Sequence, residues 1–372
     1  MHTEILELQH ASPGQRWGLT VMRFGPSGGP HPKAMVQAAL HADEVPAMLV
    51  AQRLRARLQE LEASGALLGE VVLVPYANPV GLGQQLLGQH QGRFDFQDGL
   101  NFNRNVALLG DTVAQAVAGL LTDDAAHNVS CVRAALRAAL AAVPAKTVVE
   151  DLKNKLLALA VDADTVLDLH CDSQAVMHLY ALTPQADLAA ELGALLGAQA
   201  VLLATESGDS PFDEACSRPW LELQQRFPTF PIPLACFSTT VELRGEGDTD
   251  HGLAQVDADA IVAFLRRRGI VAGTPAGLPQ ARCQPTPLSG SEPIVAPHAG
   301  VLVFHLAPGA VVQAGDVVAD VVDIDSGAVT PVCARSAGVL YARVSTRWAS
   351  AGMRLAKVAG TSLARTGKLL SP

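Results

Sequence analysis

Apolar positions along the chain follow two rhythms, unbroken runs of a strand's length and stretches with helical spacing. The run AMVQAAL over residues 34–40 predicts a buried strand, and Leu49, Leu54, Leu58 and Leu61 predict a helix over residues 45–61. The segment from His41 to Glu44 falls in the junction between them. A second strand, VVLVP from Val71, follows a glycine-containing turn, and residues 76–105 then lose periodicity and fill with Gly, Asn, Gln and Asp. A loop that long is usually either functional or disordered.

Residues 111–160 alternate small aliphatic and charged residues at helical spacing and predict two or three helices. An apolar run, TVLDLH, ends at His170. Signals then alternate as strand 175–182, helix 188–196, strand 200–204, helix 212–227 and strand 235–243. A last helix is expected with Asp257 as its N-cap, Ile261, Phe264 and Leu265 on one face, and Gly269 just past its end. Such alternation predicts an α/β domain with a largely parallel or mixed sheet covered by helices. Between Ala272 and Pro293 the chain is dense in Pro, Gly and Ser, as in a linker. The tail then repeats itself. APHAGVLVFHLAPGAVVQAGDVVADVVD from Ala296 and CARSAGVLYARVSTRWASAGMRLAKVAG from Cys333 each open a strand on A-G-V-L, which predicts a duplicated all-β unit. The expected division is a main domain over 1–271, a linker over 272–293 and a β domain over 294–372.

Composition narrows the partners. The chain's 372 residues exceed one ordinary domain, and with hydrophobic residues at 49% but aromatics at 4% the core must pack through aliphatic side chains. A net charge of -9 gives no general attraction to phosphate backbones or anionic lipid, which argues against nucleic acid and membrane partners. The start, MHTEILELQHASPGQRWG, carries acids early and lacks the apolar core of a secretory signal. The most apolar long stretch, 188–204, is broken by Glu191 and Gln199 and does not read as a membrane span. A cytoplasmic location is expected, and a homo-oligomer is left open. Six cysteines without a C-x-x-C pair read as reduced thiols rather than a zinc ribbon or disulfide framework. Cys171 follows His170, but neighbours on a strand point to opposite faces, so it is not expected to share a ligand role.

Several segments carry chemistry. His41 and Glu44 form H-x-x-E, distinct from the helical H-E-x-x-H of many metalloproteases, and place an imidazole and a carboxylate where a strand meets a helix. Catalytic zinc takes three such ligands and keeps a fourth position open. His170, at the end of its apolar strand, is the third ligand candidate, since open α/β sheets present functional groups there. Asp168, two residues earlier on the same face, either orients a ligand imidazole or is a structural carboxylate. Glu242 stands in the apolar run TTVELRG, where a lone carboxylate is costly unless paired or functional. It either pairs with Arg244 or acts on water, taking a proton during attack and passing it to a leaving nitrogen. In the long loop, N-F-N-R-N from Asn101 sets Arg104 beside Asn103, a fork suited to a substrate carboxylate. Arg93 is a second cation in that loop, either solvated or placed to polarise a carbonyl.

Taken in order, H-A-D-E from His41, N-F-N-R from Asn101, D-L-H from Asp168 and V-E-L-R from Val241 resemble the succinylglutamate desuccinylase and aspartoacylase family, a branch of the zinc carboxypeptidase superfamily. The resemblance spans nearly the whole chain. It implies a carboxypeptidase-like mixed sheet sandwiched by helices and one Zn2+ per chain held by His41, Glu44 and His170. It further implies Glu242 acting on water, Asn103 and Arg104 holding a substrate carboxylate, and Arg93 polarising the carbonyl. Two departures stand out. Asn101 occupies a position where the family often has an acid, and V-E-L-R-G is closer to peptide-cleaving carboxypeptidases than to the best-known deacylases. The C-terminal duplication resembles a lipoyl or biotinyl hammerhead barrel, but its central stretch, DIDSGAVTP from Asp323, has no acceptor lysine. In this family the C-terminal β-domain leans over the active site, where Tyr341 either reaches the substrate or packs.

The expected activity is therefore hydrolysis of the amide bond of a small N-acyl amino acid by a zinc-dependent deacylase. One rival is a metallocarboxypeptidase acting on short peptides, separable by substrate size. The other is a non-catalytic, metal-free assembly protein, separable by the metal content of the purified chain.

Overall fold

The structure, a computed structural model, describes residues 1–370. In chain order, β1 (His2–Glu7), β2 (Gly18–Phe24) and β3 (Lys33–Ala38) lead to helix α1 (Pro46–Ala63) and β4 (Glu70–Val74). The long loop holds a one-turn helix, α2 (Pro79–Leu82), and a small hairpin of β5 (Gln85–Leu86) and β6 (Gln89–His90). Helices α3 (Gly110–Val117), α4 (Ala125–Ala141) and α5 (Val148–Ala160) precede β7 (Thr165–Asp172), the short β8 (Gln174–Ala175) and β9 (His178–Leu182). Then come α6 (Ala186–Leu196), β10 (Ala200–Ala204), α7 (Phe212–Arg226), β11 (Phe237–Gly245), α8 (His251–Arg267) and β12 (Thr286–Pro287).

Nine of these strands form one mixed sheet in the order β1-β2-β4-β3-β7-β11-β9-β10-β12. At its centre β3, β7 and β11 run parallel, with Gln37 opposite Asp168 and Glu242 opposite His170. Because side chains alternate along a strand, one face carries Val36, Ala38, Leu167, Leu169, Val241 and Leu243 into a core with α1, α6 and α8. The other face carries Met35 and Val166 into a second core with α3, α4, α5 and α7, and turns Gln37, Asp168, His170 and Glu242 the same way. The polar members of that face cluster toward the carboxyl ends of the strands, where Asp213 and Glu214 at the start of α7 line the same cavity.

Element ends show what stops them. The strand expected to reach Leu40 ends at Ala38, because Ala39 takes a left-handed conformation at φ 56° and swings the chain toward α1. Helix α1 begins with Pro46 in its first turn, where a missing N–H costs nothing. The expectation that Asp257 caps the last helix is corrected. Asp250 is the cap, its carboxylate accepting from the Gly252 and Leu253 N–H groups at 2.8 and 2.9 Å. Asp257 sits inside α8 on the buried stripe, and its charge is taken by Arg244 of β11.

The tail folds into β13 (Glu292–Val295), β14 (Gly300–Phe304), β15 (Val311–Val312), β16 (Val317–Val322), β17 (Val329–Cys333), β18 (Gly338–Arg343), β19 (Trp348–Ala349) and β20 (Arg354–Ala359). These make two antiparallel sheets, β13-β20-β18-β15 and β17-β16-β14-β19, around a small core that includes Ile294, Leu302, Leu340, Leu355 and Val358. Two strands are exchanged with the main sheet. β8, directly after β7, pairs with β18 of the tail, and β12 from the proline-rich stretch extends the main sheet beside β10. The tail is thus fastened two residues beyond Asp172, at the end of the strand that carries His170. The described cysteines are all unpaired, and no helix among the described residues is long and apolar enough to cross a membrane.

Candidate active site

The turn at Ala39 directs His41 inward, and a second tight turn, with the Glu44 N–H donating to the His41 carbonyl at 3.1 Å, puts Glu44 beside it before α1 begins. His170 arrives from the neighbouring strand end. The three side chains are buried, and their donor atoms lie within 4.8 Å of one another. Glu44 bridges the two rings, with Oε1 2.9 Å from His41 Nδ1 and Oε2 2.7 Å from His170 Nδ1.

What turns both Nδ1 atoms inward is the grip on both Nε2 atoms from outside. Asn101 Oδ1 accepts from His41 Nε2 at 2.7 Å and from the Asn103 N–H at 2.8 Å, which fixes the amide's orientation as well as the ring's. Asp168 Oδ2 stands 2.9 Å from His170 Nε2, and Gln37 Nε2 donates to Asp168 Oδ1 at 2.9 Å. Held at Nε2 in this way, each imidazole points Nδ1 at the centre of the cluster, the orientation that outer partners give a metal-ligating histidine, with the Nδ1 lone pair available to a cation once that nitrogen is free of a proton. Two such nitrogens and a carboxylate make a donor set that suits a divalent cation such as zinc and leaves coordination positions open.

The electrostatics agree. Burial, then the nearby Arg93 charge, pulls the His41 pKa down and keeps that ring neutral. His170 is pushed well above the usual range, because the Asp168 and Glu44 charges outweigh burial. Glu44 is held well below the usual carboxylate range, with the His41 and His170 charges overcoming the cost of burial. With protein groups alone, a proton on His170 balances these acids. A cation on the same Nδ1 would replace it.

Glu242 faces this cluster from β11, in register with His170. Burial, then the Glu44 charge, pushes its carboxyl up to about 8, and its Oε2 is buried without a hydrogen-bond partner. The alternative pairing with Arg244 does not form. The strand register shifts between Glu242 and Gly245, Arg244 takes a φ of 67°, and its guanidinium turns to Asp257. Arg93 does reach the cluster, with Nη1 3.0 Å from Glu44 Oε1 and 3.2 Å from His41 Nδ1. Its loop comes that close because Gly92 lies against Ala42 and Asp43, where a Cβ would stand 2.1 Å from the Asp43 nitrogen.

Asn103 and Arg104 are both buried and line the same cavity, of about 310 Å³. Asn103 Oδ1 accepts from the Phe212 N–H at 2.8 Å, and Arg104 Nη1 donates to the Asn103 carbonyl at 2.8 Å. Burial, then Arg93, lowers the Arg104 pKa. Lys153 of α5 pins the loop from behind, its Nζ donating to the Arg104 carbonyl at 2.7 Å. Cys171 contributes its backbone N–H to Glu44 Oε2 at 3.1 Å, and burial pushes its thiol up, so it supplies no thiolate. Tyr341 packs at the C-terminal interface, 4.9 Å from the His178 ring and bonded to Ser291 Oγ at 2.9 Å, while Tyr180 lines the cavity. Lys357, from β20, enters the cavity wall and pairs with Asp172.

Several of these residues escape a reading of local pattern. Lys153 reaches the arginine loop, and Lys357 reaches Asp172, only through tertiary packing. Gln37 does leave a trace, as a polar residue inside the apolar run AMVQAAL, the same signal that marks Glu242.

Comparison with known proteins agrees with this geometry. Among solved structures, a succinylglutamate desuccinylase/aspartoacylase family protein of Shewanella amazonensis SB2B superposes with a TM-score of 0.86 at 27% identity, covering 96% of this chain and 98% of its own. A protein of the same description from Shewanella frigidimarina NCIMB 400 gives 0.86 at 24% identity, over 96% and 97%. The ectoine utilization protein EutE (DoeB) of Ruegeria pomeroyi shares the fold at 0.68 and 17% identity, over 96% and 95%. No curated protein matches. The family model described as the succinylglutamate desuccinylase/aspartoacylase catalytic domain matches residues 30–267, which span the histidines, the glutamates and the arginine loop, and the chain belongs to that family.

Proposed function

We propose that the chain is a zinc-dependent deacylase that cleaves the amide bond of a small N-acyl amino acid. The observation that carries this reading is the convergence of His41 Nδ1, Glu44 and His170 Nδ1 on one point, with the unpartnered Glu242 carboxyl on the adjacent strand. Bound there, zinc supplies a Lewis acid that polarises a carbonyl and makes water nucleophilic near neutral pH.

The chain's own groups do the rest. Arg104 and the Asn103 amide hold the substrate carboxylate, which fixes the amide relative to the strand ends and turns encounter into positioned attack. Arg93 offers N–H donors to the carbonyl oxygen as negative charge develops on it. Glu242 takes a proton from the attacking water as its oxygen bonds to the carbonyl carbon, then returns that proton to the nitrogen as the C–N bond breaks. The products are a carboxylate and an amine. A positive charge among the ligands opposes the burial and Glu44 charge that raise the Glu242 pKa, and so favours the carboxylate form a base requires.

Size supports a small amide over a peptide. The cavity of about 310 Å³ is walled on one side by tail residues, among them Lys357 and Leu370, and the lysine-free hairpin after β16 leaves the tail to serve as a roof rather than a carrier. The test is a panel of N-acetyl, N-formyl and N-succinyl amino acids beside di- to pentapeptides, assayed with the zinc-loaded enzyme. Turnover confined to the first group supports the reading, and faster cleavage of the peptides contradicts it.

A further inference from the structure

Beyond β20 the described residues, to 370, stay against the body of the protein. Residues 361–370 form a strap that is held at several points and ends with Leu370 in the wall of the cavity. The Arg365 N–H donates to the Ser289 carbonyl at 3.0 Å, Lys368 Nζ pairs with Asp209 at 2.7 Å, and the Leu369 N–H donates to the Ser207 carbonyl at 2.8 Å. Leu369 is buried among Tyr180, Leu202 and Leu288, and Leu370 packs on the same cluster while lining the catalytic cavity. The loop that receives the strap also receives the arginine loop, through Asn105 N–H to the Asp209 carbonyl at 2.7 Å.

The cavity therefore has two chemically different ends. One holds the histidines, the glutamates and Arg104. The other presents Leu202, Leu288, Leu370 and the ring of Tyr180, whose hydroxyl is bonded away to Tyr341. Three cations stand near this second end: Lys357 pairs with Asp172, Arg354 has an interaction of its own, and Arg365 donates to the Leu288 and Leu369 carbonyls. A charged substituent placed against this hydrocarbon wall would lose its hydration, whereas a hydrocarbon one gains contact area.

We infer that Leu370, together with Leu202, Leu288 and Tyr180, forms an apolar subsite that selects an uncharged hydrocarbon substituent on the amide substrate. This rests on the deacylase reading for the reaction, but the subsite can be read by binding alone. Two series separate the substrate's halves, N-acetyl derivatives of Ala, Leu, Phe, Glu and Lys, and alanine carrying acetyl, butanoyl, hexanoyl or succinyl groups. In at least one series the apolar members should exceed the charged ones in kcat/KM by about tenfold or more. Leu370→Ala should move the optimum to a longer member, and the volume-conserving Leu370→Met should keep the wild-type order. Preference for charged members in both series, or a Leu370→Ala effect that scales every substrate equally, overturns the subsite.

If no amide is cleaved, the deacylase reading fails while the subsite remains testable. Calorimetry on the full chain should then show leucine or hexanoate binding about tenfold tighter than glutamate or succinate, with the margin lost in Leu370→Ala. Equal affinities overturn it.

Discussion

His41 Nε2 and Asn101 Oδ1 stand 2.7 Å apart, and that contact decides which nitrogen of His41 faces the centre of the site. The family often has an acid at this position, but the amide oxygen performs the orienting task as a neutral acceptor. It aims the lone pair of Nδ1 without adding negative charge to a cluster already crowded with Glu44, Asp168 and Glu242.

Removing that acceptor should loosen the ligand. Asn101→Ala is expected to weaken zinc binding by about 10- to 100-fold, the usual cost of losing an outer partner of a metal histidine. Asn101→Asp, which keeps an oxygen acceptor, should retain most of the affinity. Competition titration against a chelating dye measures both, and an unchanged affinity in Asn101→Ala contradicts the role.

Glu242 should separate chemistry from binding. Glu242→Gln keeps the shape of the side chain but removes its basicity, so turnover should fall by about a hundred- to ten-thousand-fold with zinc content unchanged. Near-normal turnover, measured beside the metal content of the same preparation, removes Glu242 from the proton transfers.

The raised pKa of His170 gives a pH signature. A group raised on folding stabilises the fold while it is protonated, and that contribution fades as pH rises through its folded value. Zinc must displace the same proton. Its apparent affinity should therefore fall by about tenfold for each unit of pH below the His170 pKa and level off above it. Stabilisation by zinc, read as a shift in Tm, should grow as pH rises across the neutral range. A zinc affinity independent of pH from about 6 to 8.5 contradicts protonation of this ligand.

Much of the site is visible in the chain's pattern because the relevant side chains sit at strand ends, where a polar residue after an apolar run stands out. His170 after TVLDL and Glu242 within TTVELRG are such cases, and the order of the segments adds specificity. Legibility fails where geometry depends on partners far away in sequence. The reach of Arg93 depends on Gly92 passing close to Asp43. The cap of α8 falls at Asp250 rather than Asp257 because Arg244 claims the latter across a strand irregularity. The exchange of β8 and β12 between the two parts of the chain, and the strap that ends in the cavity wall, leave no periodic trace at all.

The central claim is that His41, Glu44 and His170 together hold one divalent cation. Its most direct test is the metal content of purified wild-type protein and of His41→Ala, Glu44→Ala and His170→Ala, measured by elemental mass spectrometry after dialysis against limiting zinc, with circular dichroism to establish that each variant is folded. The account predicts one zinc per wild-type chain and a small fraction of that in each folded variant. A wild-type chain that retains no metal, or variants that retain as much as the wild type, would contradict it.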